Sequence, residues 1–349
     1  MEYSKVYIEA FGYELAPNII TTKDIEKRLK PFYDATNFSP GQLYALTGIK
    51  ERRFWDVDHS ISEHASKAGQ NAIDESGIYP DQIEALVFCG VSREGFEPAT
   101  ACSIADNLNI SENGQIYDVS NACLGILTGM IQVANEIELG NIKAGLVVSC
   151  ETSRQIVEST IDEINQMKSL EFFKTAVATL TGGSGAVAVL LTDGSFSKNS
   201  VIHKICGAVI QNSIKFHDLC SWGFSEKGMP VSSKIIMRTQ ADAVLEHGTK
   251  LVVRTFSQFL QKFNLYHDSI DKFIGHQVGA IHHHSFYKAL GIDIKKDFPT
   301  FPFLGNIGTV SLPITAAIAD ERGFLNSGDY VCFIGVGSGL NCLIMGIEW

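Results

Sequence analysis

Short apolar runs with the two-residue rhythm of strands alternate along this chain with longer segments of helical rhythm, and the alternation persists over all 349 residues. Residues 5–11, 85–89, 115–119, 144–149 and 186–191 read as strands, and residues 61–76, 99–108 and 124–138 as helices between them. The second half repeats the theme, with strands at 202–211, 273–276 and 330–335 and helices at 241–263 and 280–290. Such alternation predicts an α/β protein with a mainly parallel sheet covered on both faces. A local echo points to duplication: Gly183-Ser184-Gly185 precedes Ala186-Val187-Ala188-Val189, and Gly337-Ser338-Gly339 precedes Leu340-Asn341-Cys342-Leu343. Two halves are therefore expected, residues 1–195 and 196–349.

Composition narrows the class. A 45% hydrophobic chain with 31 glycines can bury a large core. A net charge of −11 argues against nucleic acid as a partner, because phosphate binding needs concentrated positive charge. No run approaches 18 uninterrupted apolar residues, and Met1-Glu2-Tyr3-Ser4-Lys5 has no signal-peptide pattern, so a cytoplasmic protein without a membrane span is expected. The eight cysteines include no C-x-x-C pair, which argues for reduced thiols; Cys89, Cys150, Cys332 and Cys342 fall in apolar runs and read as core. Adjacent residues His282, His283 and His284 would point about 100° apart on a helix and cannot jointly build a tetrahedral site, so no metal is expected. The glycine-rich segment 181–185 lacks both phosphate-loop spacings, and no cofactor is expected.

Three distant segments each carry a reactive side chain. Cys123 ends Ile116-Tyr117-Asp118-Val119-Ser120-Asn121-Ala122 and opens a helical pattern, so its thiol lies at a helix N-terminus, where unpaired N–H groups and the helix dipole favour a thiolate. His276 follows the apolar run Phe273-Ile274-Gly275, and Asn306 lies in the turn Leu304-Gly305-Asn306-Ile307-Gly308 ahead of another helix. Imidazole and amide can both donate to one oxygen, which suits a developing enolate.

In combination, Asn121-Ala122-Cys123-Leu124-Gly125, His276-Gln277, Gly305-Asn306 and the closing Gly335-Val336-Gly337-Ser338-Gly339-Leu340 resemble the signatures of β-ketoacyl-acyl carrier protein synthase III, a family of the thiolase superfamily. The segment Leu46-Thr47-Gly48-Ile49-Lys50-Glu51-Arg52-Arg53 is similar to the family's substrate-entry segment, so the likeness runs over essentially the whole chain. The resemblance implies the duplicated, layered α/β/α/β/α thiolase fold, an active site between the halves, and a homodimer. It also implies an acyltransferase. Cys123 carries the acyl group, the backbone N–H groups of Cys123 and Ser338 form the oxyanion hole, and His276 with Asn306 holds the enolate left by malonyl decarboxylation. Acyl-CoA or acyl-carrier-protein thioesters are the expected substrates, with acyl carrier protein as a candidate partner. Lys50, Arg52, Arg53 and Arg154 are the candidate basic patch, and Arg52 and Arg154 the candidate substrate contacts. The stretch 153–179 is too long for a tight connection; it reads either as a wall of the acyl channel and a dimer contact or as a surface insertion.

One residue departs from the synthase pattern. Phe96-Glu97-Pro98-Ala99-Thr100-Ala101 resembles the family loop that crosses the dimer into the partner's acyl pocket, yet ordinary members carry an apolar aromatic where this chain has Glu97. A carboxylate in an acyl pocket is costly unless it is used or paired. A glutamate here is similar to the thiolase of long-chain olefin synthesis, which condenses two fatty acyl thioesters head to head without decarboxylation, with the glutamate as candidate base. Three functions are thus in view. The first is decarboxylating condensation of acyl-CoA with malonyl carrier protein in fatty acid biosynthesis, with Glu97 paired to Arg93 off the reaction path. The second is head-to-head condensation with Glu97 as base, and the third a noncatalytic scaffold of the same fold.

Overall fold

The computed structural model describes residues 1–196, 202–226 and 234–349. Its strands in chain order are β1 (Tyr7–Leu15), β2 (Asn18–Thr21), β3 (Glu51–Phe54), β4 (Ala85–Phe88), β5 (Gln115–Asp118), β6 (Ala144–Glu151), β7 (Gly185–Thr192), β8 (His203–Asn212), β9 (Cys220–Phe224), β10 (Ile235–Thr239), β11 (Lys272–Gly275), β12 (Tyr330–Gly337) and β13 (Asn341–Glu348). Nine of them form one sheet in the order β11-β12-β13-β8-β1-β7-β6-β4-β5. Strands before residue 195 occupy one side of that order and strands after it the other. The sides meet through β1 and β8, which pair only at Tyr7–Lys204 and Ile8–His203.

The two-residue side-chain period of a strand decides which layer each residue faces. In β4, Ala85 and Val87 enter a central cluster, whereas Leu86 and Phe88 enter an outer one; in β6, Val147 faces inward, and Leu146 and Val148 outward. The central cluster gathers inward residues from both sides of the sheet around two helices, Gly125–Leu139 and Ser311–Glu321. The helix Ile61–Ser76, with Thr100–Asn107, covers the outer face of the first side. Helices Ala241–Lys262 and Ala280–Leu290 cover that of the second, against Cys332, Ile334, Cys342 and Ile344. The layers therefore run helix, sheet, helix pair, sheet, helix, which is the five-layer thiolase arrangement.

The expectation of a mainly parallel sheet needs correction. Only β4–β5, β4–β6 and β11–β12 are parallel, and the pairs β6–β7, β1–β7, β1–β8, β8–β13 and β12–β13 are antiparallel. Three residues, Ser338 to Leu340, join β12 to β13, a hairpin connection too short to carry a parallel crossover. The span Ala122–Leu139 is long and apolar enough by composition to cross a membrane, but more than half of it is buried in the central layer.

Candidate active site

The central helix pair decides where the site lies. Cys123 sits in a single 3-10 turn, Ala122–Leu124, that runs into the helix Gly125–Leu139. Ala122 adopts φ 46°, a left-handed conformation that costs a side-chain-bearing residue energy. At Gly125 a Cβ would lie 2.3 Å from the carbonyl oxygen of Cys89, so only glycine lets the helix start this close to β4. The turn Gly308–Val310 that leads into the second helix holds the first: Thr309 Oγ1 accepts from the Ile126 N–H at 2.7 Å.

His276 follows β11, its backbone N–H donating to Ile334 O at 2.8 Å. Both ring nitrogens are buried without a protein partner. Burial, and then His282, hold its pKa down at about 4, so the imidazole is neutral at physiological pH and can donate from one nitrogen. Asn306 lies between Gly305 (φ 69°) and Gly308 (φ 61°). Its Oδ1 accepts from the Gly308 N–H at 3.1 Å, which fixes the amide and leaves Nδ2 as a donor. Cys123, His276, Asn306 and Ser338 border one cavity of about 450 Å³, with apolar walls that include Ile156, Trp222, Val244 and Phe286.

The helix-terminus argument for a resting thiolate does not hold. The Cys123 thiol is pushed up to about 12, first by burial and then by the negative potential of Cys220 and Glu151. Desolvation outweighs the helix N-terminus, so Cys123 rests as a thiol until something accepts its proton.

Glu97 does not line this cavity. The tip Gly95 to Pro98 is exposed, and Glu97 forms no hydrogen bond or ion pair within the protomer among the described residues, with Arg93 or any other. The neighbouring Phe96 is 83% exposed and lies tilted at 39° to the Phe224 ring, ring centroids 6.2 Å apart.

The proposed basic patch is not a surface cluster. Arg52, expected to contact substrate, is fully buried, and its guanidinium donates to Thr22 Oγ1 and Leu180 O, both at 3.1 Å. Burial lowers its pKa to about 10, still charged at neutral pH, and it braces the scaffold beneath Gly183 and Gly305. Arg154 lies outside the cavity lining, donating to Trp55 O at 2.8 Å and pairing with Glu158. Arg53 donates to Ala16 O, and only Lys50 is exposed, above the Phe303 ring.

The long connection after β6 folds into helices Arg154–Met167 and Leu170–Ala176, and Ile156, Ala178 and Thr179 line the cavity, so it is a channel wall. The three histidines part company: His282 reaches the cavity, His283 contacts Asp297, and His284 bonds Ala280 O. Sequence reasoning missed Glu151 and the β9–β10 ribbon, which adds Cys220, Ser221, Trp222 and Met237 to the cavity. The alternation in Cys220-Ser221-Trp222-Gly223-Phe224 was the available signal for the ribbon.

A cysteine at the head of a central helix, with a histidine and an asparagine from the other half facing the same apolar cavity, in a five-layer α/β/α/β/α fold, describes a thiolase-type enzyme of Claisen condensation. The comparisons agree. Residues 260–349 match the family described as 3-oxoacyl-[acyl-carrier-protein] synthase III, C terminal. The chain is 48% identical to an acyl-CoA:acyl-CoA alkyltransferase of Shewanella oneidensis and 32% identical to that of Xanthomonas campestris, each over the full length of both proteins. It is 25% identical to a β-ketoacyl-[acyl-carrier-protein] synthase III of Clostridium tetani over the whole of both chains. Crystal structures of Xanthomonas campestris OleA superpose with a TM-score of 0.92 at 32% identity, covering all of this chain and 98% of that one; among them are a form with cerulenin bound and forms with a glutamate replaced. The chain belongs to the synthase III-like family of the thiolase superfamily that includes the acyl-CoA:acyl-CoA alkyltransferases, and it is an acyltransferase.

Proposed function

We propose that this enzyme condenses two fatty acyl-CoA thioesters head to head without decarboxylation. The observation that carries the reading is a carboxylate, Glu97, where the synthases have an apolar aromatic, in a chain 48% identical to an acyl-CoA:acyl-CoA alkyltransferase. In the first half-reaction the Cys123 sulfur attacks the thioester carbonyl, CoA leaves as the thiol, and the acyl group rests on Cys123. With a resting thiol and a neutral imidazole in one cavity, His276 is the group suited to take the thiol proton. In the second, Glu97 removes a proton from the α-carbon of a second acyl-CoA, and the enolate oxygen accepts hydrogen bonds from His276 and Asn306 Nδ2. The α-carbon attacks the acyl-Cys123 carbonyl. Backbone N–H groups of Cys123 and Ser338 hold the tetrahedral oxyanion, which collapses to expel the Cys123 sulfur and leave a β-keto thioester.

Glu97 is exposed and outside its own cavity, so this mechanism places it in the site of a second copy and the working unit is a homodimer. All eight cysteines are free, as a reducing cytoplasm would keep them. The decarboxylating synthase reaction, with acyl carrier protein as donor, is the second reading; the C-terminal match and the Clostridium tetani relative favour it. Glu97→Gln separates the two because it preserves size and removes the base. The expected result is loss of condensation from acyl-CoA alone by on the order of 100-fold or more, the scale of a missing general base, with acyl-Cys123 still forming. Unchanged condensation would remove Glu97 from the mechanism.

A further inference from the structure

Glu151, the last residue of β6, is a buried carboxylate whose two oxygens are both engaged by the root of the loop that carries Glu97. Oε1 accepts from the Val91 N–H at 2.9 Å; Oε2 accepts from the Ser92 N–H at 3.1 Å and from Ser92 Oγ at 2.8 Å. The same side chain borders the reactive cavity and packs under the Asn306 turn, where a Cβ at Gly308 would lie 3.2 Å from its Cγ. Two further carboxylates fasten the rest of the loop. Glu94 accepts from the Ser62 N–H and Ser60 Oγ, both at 2.7 Å, and Asp118 accepts from the N–H groups of Thr100 and Ala101. Only residues 95–99 are left to project, carrying Phe96 and Glu97 at their tip.

We propose that Glu151 is a positioning residue, a clamp that anchors the root of the loop delivering Glu97 to the second acyl group. The inference rests on the reading of Glu97 as the base. All three groups hydrogen-bonded to the Glu151 carboxylate, the Val91 and Ser92 N–H groups and Ser92 Oγ, are donors, which suits the charged form and a holding role rather than proton transfer. Burial works against that charge and carries its pKa up to about 7, so the three donors are what keep the carboxylate in place.

Glu151→Gln would aim an amide NH2 at an N–H donor and release one side of the loop root. Acylation of Cys123, measured by intact mass in a single turnover with a fatty acyl-CoA, should be retained. Condensation should fall on the order of 100-fold, the cost of a reacting group displaced by about 1 Å. The double variant with Glu97→Gln should be no slower than Glu97→Gln alone, because the clamp acts only through that residue. Ser92→Ala, which removes one donor and leaves the carboxylate, should show the same split to a lesser degree and carries the test if Glu151→Gln does not fold. Equal losses in acylation and condensation, or multiplying losses in the double variant, would overturn the inference. If Glu97→Gln itself leaves condensation intact, the base assignment fails instead, whatever Glu151→Gln does.

Discussion

The buried His276 makes the stability of this enzyme depend on pH in a calculable way. Its folded-state pKa is about 4 against an ordinary 6.5, because burial, and then His282, oppose the charged ring. Protons therefore bind the unfolded chain more readily. The stability that neutral His276 confers is complete above pH 6.5 and is lost progressively as the pH falls through 6.5 towards 4. The full effect of such a gap is about 3 kcal/mol, of which about 2 kcal/mol is lost between pH 7 and pH 5. His276→Asn keeps a polar group at the position and removes the titration. Guanidinium denaturation of both proteins at pH 7 and pH 5 isolates the term, because the groups that do not touch His276 titrate alike in the two. The wild type should lose about 2 kcal/mol more than the variant on acidification. Equal losses would mean that the imidazole is solvated or paired in the folded protein, and the argument that it stands as a neutral donor in the cavity would go with it.

Arg52→Ala should lower stability by about 2–4 kcal/mol, for two lost buried hydrogen bonds to Thr22 and Leu180 and the void left by the stem, while KM for acyl-CoA stays unchanged; a raised KM with normal stability would restore the substrate contact that burial argues against. Gly125→Ala puts a methyl group 2.3 Å from the Cys89 carbonyl oxygen, and backbone cannot yield as a side-chain end can. The expected cost is about 1–3 kcal/mol by thermal unfolding, with slower acylation of Cys123 as its turn shifts; a neutral substitution would mean that the helix start has room to move.

The placement of Cys123, His276 and Asn306 around one cavity was legible in the sequence because each position depends on local features. Cys123, His276 and Asn306 all stand where a short apolar strand or a glycine-flanked turn gives way to a helix, and those boundaries fall within a residue or two of where the sequence puts them. The Ile61–Ser76 and Ala280–Leu290 helices were legible from their periodicity alone. What the sequence does not encode locally is direction and environment. The alternation of strands and helices is the same whether β7 runs with β6 or against it, and here it runs against. Arg52 reads as a surface charge because most arginines are, and only the packing of Gly183 and Gly305 over it reveals a buried one. Glu151 ends a strand that reads as core, and its donors come from a loop 59 and 60 residues away. The resting state of Cys123 was misjudged for the same reason: a helix terminus is visible in sequence, whereas the desolvation that outweighs it belongs to the assembled cavity.

The central claim is that the carbon–carbon bond forms between two acyl-CoA molecules, with a proton rather than carbon dioxide leaving the second. Its most direct measurement is product analysis by mass spectrometry of the purified enzyme given a single long-chain acyl-CoA, with released CoA and carbon dioxide followed, in the presence and absence of malonyl-acyl carrier protein. The account predicts a β-keto product carrying both chains from acyl-CoA alone, with no carbon dioxide released as the bond forms and no need for the malonyl donor. A condensed product formed only with malonyl-acyl carrier protein, one carbon dioxide released for each bond made, would contradict it and make the enzyme a decarboxylating synthase.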